Sequence, residues 1–280
     1  MMPGFPKCGT SSLCDLMKQN ADVFIPTPKE PSFFSIGRFE RELSWGWYNS
    51  LYEGAENSRA VGDCTVNYCC SRARSLASPA TIAEFFPDLR LIFVVRDPIR
   101  RIETHWRHHA VIGHPRGLPA FNSAVERFSM FVNTSRYYSH INRFRAHFSD
   151  DQILVLFFED FVRDPVSTTN KALKFVGVDA QTSFERPNDP RNRNDSKYRD
   201  GALASWIRTV PGYRSLRRLT PSAISGIIRP ALKVRNSEQM SWSPDVLEWV
   251  VAELEDDWAR LLKFANKEDA DWMLNANAYL

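Results

Sequence analysis

The chain has 280 residues, of which 43% are hydrophobic and 25% are charged, and its formal net charge is +3. This composition supports a core of normal size in one domain, and the mild positive charge favours a small anionic ligand over nucleic acid. No apolar stretch approaches the roughly 18 residues of a membrane-spanning helix, so we expect no membrane span.

Segments with helical and strand-like patterns alternate along the chain. The predicted helices cover residues 10–20, 43–53, 79–86, 98–110, 120–148 (in two pieces), 165–176, 201–209 and 244–264. The predicted strands cover residues 23–25, 60–62, 89–95 and 153–158. Residues 1–3 are very short for the strand that should lead into the first loop, so either this strand is minimal or sequence before Met1 is missing. This alternation predicts an α/β fold, a single domain over residues 1–280 with a central parallel sheet flanked by helices. The polar segment 185–200 is expected to form a lid-like loop.

The segment from Gly4 to Leu13 has the layout of a loop that binds an anion at the start of a helix. Lys7 lies between two glycines, three hydroxyl residues follow Gly9, and an amphipathic pattern then begins. Glycines let the backbone approach an anion, and a helix start offers unpaired N–H groups and the positive end of the helix dipole. The phosphate loop of an ATPase would carry lysine after the second glycine, where this chain has Thr10. A glycine-rich turn with a surface lysine is the alternative interpretation.

A second anion-binding pattern begins at Arg96, which directly follows the most apolar predicted strand. An arginine can form two hydrogen bonds with one phosphate. Thr104 follows about two helical turns later, on roughly the same side of the predicted helix. Four polar residues each come just after a predicted strand: Lys7, Glu30, Asp63 and Arg96. Since ligands bind beyond the carboxyl ends of the strands in such sheets, these side chains should meet at one edge.

Both patterns resemble cofactor-binding motifs of the sulfotransferases that use 3′-phosphoadenosine 5′-phosphosulfate (PAPS). Residues 4–13 are similar to the family's 5′-phosphosulfate loop, G-x-x-K-x-G-T-[ST]-x-L, and residues 96–106 resemble its 3′-phosphate motif, R-[DN]-P-x-x-R-x-x-S-x-[YW]. The resemblance implies that six loop residues bind the cofactor: Lys7, Cys8, Gly9, Thr10, Ser11 and Ser12. It also implies that Arg96 and Thr104, which replaces the usual serine, hold the 3′-phosphate. It covers nearly the whole chain and implies a P-loop-like sulfotransferase fold.

Two later segments extend the resemblance. Residues 154–161 look like the family's apolar strand with its E-D-L motif, and Phe158 stands where cytosolic members carry a tyrosine that touches adenine. Phe158 would stack on the adenine without a hydrogen bond, and a plain core phenylalanine is the alternative. Residues 194–199 resemble the N-x-S-x-x-x-R loop that closes over the nucleotide, although exposed loop charges would give the same pattern. Three further cofactor contacts are implied there: Lys197, Tyr198 and Arg199.

The acceptor side resembles the heparan-type and related bacterial sulfotransferases. Residues 29–34 match their [KE]-E-x-x-F-F segment, which implies that Glu30 is the general base. Three positions depart from the histidine, aspartate and lysine that these relatives often carry: Ser32, Ser35 and Cys64. The two serines imply different acceptor contacts, and the absence of the lysine favours a small or neutral acceptor over a heparan-like polymer. A histidine base, as in cytosolic relatives, would be His105.

The sequence therefore predicts a sulfotransferase that moves the sulfuryl group of PAPS to a hydroxyl or amine of a small-molecule or saccharide acceptor and releases adenosine 3′,5′-bisphosphate (PAP). Lys7 would stabilise the leaving oxygen, Glu30 would take the acceptor's proton, and His105 is the competing base. None of these roles needs a metal, and His105 and His109 lack the intervening glutamate of a zinc-binding H-E-x-x-H helix. The alternatives are a P-loop kinase or ATPase and a non-catalytic nucleotide- or glycan-binding module.

Five cysteines lie in the first quarter of the chain: Cys8, Cys14, Cys64, Cys69 and Cys70. An odd number without a C-x-x-C pair makes a poor disulfide framework and a poor zinc site, so we expect reduced thiols. With no signal peptide ahead of the first loop, this cysteine usage predicts a cytoplasmic protein. The sequence identifies neither the acceptor nor the oligomeric state.

Overall fold

The computed structural model describes residues 1–35, 44–69, 77–112, 118–185, 198–200, 233–235, 240–268 and 272–280. Within these ranges helices and strands alternate in the α/β pattern that the sequence predicts. The helices are α1 (Thr10–Met17), α2 (Trp45–Ser50), α3 (Pro79–Phe85), α4 (Pro98–Ile112), α5 (Phe121–Arg127), α6 (Met130–Asn133), α7 (Tyr137–Arg145), α8 (Phe158–Arg163), α9 (Pro165–Phe175) and α10 (Pro244–Phe264). The strands are β1 (Val23–Phe24), β2 (Ala60–Val61), β3 (Leu91–Val95), β4 (Ile153–Phe157), β5 (Tyr198–Asp200) and β6 (Lys233–Arg235).

Parallel pairing organises the centre of the fold. β3 and β4 pair in parallel over their whole length, and β1 pairs in parallel with β2. The first residues of the chain run along the other side of β3, where the N–H of Val94 donates to the Gly4 carbonyl at 3.0 Å. The N–H of Met2 donates to the carbonyl of Asp63, just after β2, at 2.8 Å. The short first strand predicted at the start of the chain is therefore present as backbone pairing.

Two hydrophobic cores flank this pairing. β3 is buried at every position, which suits a parallel strand covered on both faces. The core that packs against it takes side chains from α1, α7, α9 and α10, including Leu13, Phe144, Leu173 and Leu261. The second core lies between α4, α5, α6 and α10, and includes Ile102, Trp106, Phe131, Leu247 and Val250. α10 thus contributes its first half to one core and its second half to the other.

Local capping fixes the helices that flank the sheet. Ser78 and Asp164 precede α3 and α9, each accepts a backbone N–H of the first turn, and each is followed by proline. α9 is closed by Gly177, as predicted, with a left-handed φ of 80°. The N–H of Val178 donates to the carbonyl of Leu173 at 2.9 Å and completes the turn.

The segment 120–148 forms three helices, whereas its pattern predicts two. Its apolar side chains serve different cores, because Phe131 packs in the second core and Phe144 packs in the first. One continuous helix could not place Phe131 in one core and Phe144 in the other, so the helix is interrupted between α6 and α7. The strand predicted over 153–158 also ends one residue early, because Phe158 already begins α8.

Several expectations concern the rest of the chain. The predicted helix over 201–209 and most of the predicted loop over 185–200 lie outside the described residues. The sequence did not predict the antiparallel pairing of β5 with β6. Within the described ranges, none of the helices combines the length and the apolar character needed to cross a membrane.

Candidate active site

The loop before α1 turns sharply at two residues with left-handed backbone, since Lys7 has a φ of 71° and Gly9 a φ of 85°. A Cβ added at Gly9 would lie 2.6 Å from Cδ2 of Phe158, so the loop backbone rests directly against this ring. Gly9 is the N-cap of α1 and provides no side-chain cap. The first N–H groups of α1 are therefore donors that an anion can use.

The other loop residues predicted to bind the cofactor differ in exposure. Cys8 is fully buried, its Sγ lies 3.7 Å from the hydroxyl of Tyr137, and burial raises the pKa of its thiol to about 12. Thr10 is also buried, whereas Ser11 and Ser12 are partly exposed. The side chain of Cys8 therefore belongs to the core, and only its backbone is left to meet a cofactor.

Lys7 and Glu30, which come from separate segments, lie within electrostatic reach of each other. Burial, with a smaller effect of the positive charges of Arg101 and Lys29, lowers the pKa of Lys7 to about 8. The negative charge of Glu30 acts in the opposite direction. A lysine with such a pKa is still mostly protonated at pH 7. Glu30 itself pairs with Lys29, whose Nζ lies 2.8 Å from its Oε1.

Arg96 lies at the carboxyl end of β3 and is held from two sides. Its Nη1 donates to Oγ1 of Thr104 at 3.1 Å, and its guanidinium carbon lies 4.6 Å from the ring centroid of Phe158. The hydroxyl of Thr104 donates to the carbonyl of Arg100 at 2.9 Å. The Nε of Arg96 is buried and finds no hydrogen-bond partner in the part of the chain that the structure describes. A buried donor without a partner costs free energy, and an anion bound by this guanidinium would offset that cost.

Two carboxylates fix the turn after Arg96. The N–H of Asp97 donates to Oε1 of Glu159 at 3.0 Å, and burial raises the pKa of Glu159. Oδ1 of Asp97 accepts the N–H of Arg100 at 2.9 Å and caps α4. In the sequence, Glu159 is only part of the E-D-L resemblance, which implies no role for it. The position of Glu159 at the start of a helix, directly after a central strand, was the signal available in the sequence. Through its hydrogen bond with Asp97, Glu159 connects α8 to the start of α4.

Contacts therefore connect four residues from three separate segments, and we call this set the anion site: Gly9, Arg96, Thr104 and Phe158. It begins at the N terminus of α1, passes the end of β4 and reaches the second turn of α4. The sequence predicts that Lys7 and Arg96 meet beyond the ends of the strands, and the structure brings their segments together.

His105, the competing base, lies inside the protein. It is 5% exposed, its Nδ1 lies 3.1 Å from Nη1 of Arg101, and its Nε2 lies 3.3 Å from Nε2 of His109. Burial and the positive charge of Arg101 hold the pKa of His105 well below its usual range. Arg101 is itself fully buried and donates to the carbonyl of Phe131. The role of His105 stays a prediction, but both its ring nitrogens already have protein neighbours, which favours Glu30.

A second histidine of α4, like His105, lies within electrostatic reach of Lys7. His108 is partly exposed, and burial together with the positive charge of Lys7 lowers its pKa to about 4. The sequence favours His105 as the competing base because it adjoins Thr104. Across the described ranges, no group of three or more His, Cys, Asp and Glu side chains could hold a metal ion.

The last set of predicted cofactor contacts can be placed only in part. Lys197 lies outside the described residues. The backbone of Tyr198 and Arg199 belongs to β5, which pairs with β6 and runs beside α4, the helix that carries Thr104. Their contacts with a cofactor stay predictions.

Comparison with known proteins gives a consistent class. A family model described as the sulfotransferase family matches residues 54–182. A crystal structure of a sulfotransferase from Alicyclobacillus acidocaldarius has the same fold, with a TM-score of 0.65 and 21% identity over 97% of this chain and 96% of that one. The fold is thus that of a sulfotransferase.

The sequence relatives of the chain are also sulfotransferases. The chain is 26% identical to human heparan sulfate glucosamine 3-O-sulfotransferase 6 over 186 residues, which covers 64% of this chain and 52% of that protein. It is also 26% identical to human heparan sulfate glucosamine 3-O-sulfotransferase 3B1 over 184 residues, with 62% and 45% covered. The chain spans about half the length of these curated relatives. The matching family model, the sequence relatives and the shared fold all lie within the sulfotransferases, in agreement with the resemblance that the motifs of this chain carry.

Proposed function

We propose that this protein moves the sulfuryl group of PAPS to a hydroxyl or amine of a small-molecule or glycan acceptor. The observation that carries the proposal is the anion site, in which Phe158 contacts both Gly9 of the loop and Arg96 after β3. PAPS carries its 5′-phosphosulfate and its 3′-phosphate on one ribose. Such a ligand needs two anion-binding elements at a fixed separation, and this site provides them.

The described residues fit this cofactor, which would supply the activated sulfuryl group. Lys7 and the N–H groups at the start of α1 would hold the 5′-phosphosulfate. Arg96 and Thr104 would hold the 3′-phosphate, and the buried, unpartnered Nε of Arg96 supports an anion there. Phe158 lies between the two elements, and its stacking on adenine stays a prediction.

The chemistry would fall to Lys7 and Glu30. Lys7, protonated at neutral pH, would stabilise the negative charge that grows on the phosphate oxygen as the bond from sulfur to that oxygen breaks. Glu30 would take the proton of the acceptor while the acceptor's oxygen or nitrogen forms the new bond to sulfur. The products are the sulfated acceptor, PAP and a proton that passes from Glu30 to water.

The acceptor and the location are part of the same proposal. Two of the positions that depart from the heparan-type pattern are buried, since Ser35 is 1% exposed and Cys64 is 3% exposed. Neither side chain brings a charge to the site, which supports the small or neutral acceptor that the sequence predicts. The described cysteines at 8, 14, 64 and 69 are free thiols, which supports the predicted cytoplasmic location.

The test is transfer from isotopically labelled PAPS to a panel of small hydroxyl and amine compounds and short saccharides, read by mass spectrometry. The expected result is a labelled sulfate ester or sulfamate without added metal. PAP binding measured by calorimetry provides a second readout that does not need the acceptor. ATP turnover that depends strictly on magnesium, with no preference for PAP over AMP, would contradict the proposal.

A further inference from the structure

Residues 29–35, which we call the base segment, are docked onto the chain after β2. The N–H of Ser32 donates to Oγ1 of Thr65 at 3.0 Å, and the N–H of Phe34 donates to the hydroxyl of Tyr68 at 3.1 Å. Both acceptors are side-chain hydroxyls, so the backbone at Ser32 and Phe34 depends on where these two side chains point. The start of the segment is held separately, since the carbonyl of Lys29 accepts the N–H of Cys64 at 3.0 Å.

The two hydroxyls share one partner, the carboxylate of Asp63, which is 4% exposed. Oγ1 of Thr65 donates to Oδ1 of Asp63 at 2.6 Å, and the hydroxyl of Tyr68 donates to Oδ2 at 2.9 Å. The N–H of Thr65 and the hydroxyl of Tyr48 also donate to this carboxylate, at 2.9 and 3.2 Å. Each of these hydroxyls has one proton, which it donates in a hydrogen bond to the carboxylate of Asp63. The lone pairs of the hydroxyl oxygen then remain available to accept an N–H of the base segment.

The base segment needs this support because its backbone is strained. Ser32 has a φ of 57°, a left-handed conformation that non-glycine residues seldom adopt, and its N–H is the group that Thr65 holds. The neighbouring Phe33 stacks on Tyr48, with ring centroids 4.4 Å apart and planes 13° apart. Asp63 therefore reaches the base segment through three different side chains.

We propose that Asp63 is a positioning residue, which sets the backbone of the base segment through Thr65 and Tyr68 and thereby the place of Glu30. The inference rests on the proposed function as far as Glu30 is the general base, whereas the docking itself does not depend on it. A base that is misplaced by about 1 Å can lose about 100-fold in rate, so small shifts of this segment are sufficient.

Hydrogen exchange tests the docking without any substrate. In Thr65→Val the amide of Ser32 should exchange about two- to tenfold faster, the effect expected for one lost hydrogen bond. Tyr68→Phe should do the same at Phe34, and Asp63→Asn at both amides. Tyr52→Phe is the matched control, because it removes a hydroxyl of the same cluster whose hydrogen bond among the described residues goes to Tyr48, at 3.1 Å. Unchanged exchange in the first three variants would overturn the proposal.

Kinetics test the consequence for the reaction. Thr65→Val should lower kcat about 10- to 100-fold and leave the affinity for PAP within about twofold, because the anion site is untouched. Thr65→Ser keeps the hydroxyl and should restore most of kcat, whereas Tyr52→Phe should leave kcat unchanged.

A double-variant cycle separates positioning from general loss of structure. If Asp63 and Thr65 act through Glu30, then Thr65→Val and Asp63→Asn should cost little further kcat once Glu30→Gln is in place. An equal loss in both backgrounds would show a merely structural role and would overturn the inference. Absence of transfer by the unchanged protein would overturn the proposed function, and the exchange rates would still decide whether Asp63 docks the base segment.

Discussion

Gly9→Ala is the sharpest test of how the loop meets the rest of the anion site. The backbone of Gly9 is left-handed, which costs a residue with a side chain about 1–2 kcal/mol. The new methyl group would also lie 2.6 Å from Cδ2 of Phe158, closer than real Cβ atoms come, so the ring must move. Forcing extra volume into a packed site costs about 1–3 kcal/mol.

Gly54→Ala provides a matched control. Gly54 has a φ of 91°, close to the 85° of Gly9, but a Cβ added there meets nothing within 4 Å. Gly54→Ala should therefore lower the free energy of unfolding by about 1–2 kcal/mol, and Gly9→Ala by about 2–5 kcal/mol. Denaturant unfolding measures both values. Adding Phe158→Ala to Gly9→Ala removes the overlapping ring. The double variant therefore shows how much of the difference in unfolding free energy between Gly9→Ala and Gly54→Ala comes from the contact with Phe158.

The same two variants distinguish an effect on PAP binding from a general effect on the stability of the fold. Gly9→Ala displaces Phe158, which supports the guanidinium of Arg96, so PAP binding measured by calorimetry should weaken by at least about tenfold. Gly54→Ala should bind PAP as the unchanged protein does. Equal destabilisation by the two substitutions, or intact PAP binding in Gly9→Ala, would refute the reasoning.

Three further predictions concern the polar residues of the site. Arg96→Ala should erase most of the preference for PAP over AMP, which we expect to be about 100-fold from two charge-assisted hydrogen bonds, and calorimetry with both nucleotides would show this. Lys7→Ala should lower kcat by about 10²–10³ with a smaller effect on PAP affinity, and kcat of the unchanged protein should fall as pH rises through about 8, where Lys7 loses its proton. Glu30→Gln should lower kcat by about 10²–10⁴ and bind PAP normally, whereas His105→Ala should cost far less; the reverse ranking in steady-state kinetics would move the base to His105.

The sequence indicates the segments that form the anion site because the signals in those segments are local. Lys7 between two glycines and Arg96 at the end of an apolar strand are patterns in which the residue type and the neighbouring element together specify the chemistry. The parallel sheet then requires that such positions meet at one edge. The contact of Phe158 with Gly9 and Arg96 was beyond prediction, because it depends on the angle at which α8 follows β4.

The support of the base segment could not be predicted, because it depends on pairs that are far apart in sequence. Nothing local shows that Thr65 accepts the N–H of Ser32, or that Tyr68 accepts that of Phe34. Helical spacing likewise does not show which histidines of α4 are buried, so the contacts of His105 with Arg101 and His109 could not be predicted. These outcomes are set by tertiary packing, which a pattern of residue types does not contain.

The two arginines of the α4 motif illustrate how one short segment serves both site and fold. Arg96 is partly exposed, and its Nε lacks a hydrogen-bond partner among the described residues, as expected of a donor that can bind a ligand. Arg101 is fully buried and donates to Oγ of Ser135 at 2.6 Å and to the Phe131 carbonyl. A buried guanidinium is tolerated only when its donors are satisfied, so Arg101 fixes α4 against α6. The motif therefore leaves its first arginine available for the proposed anion, and its second arginine holds the helix that carries Thr104 in place.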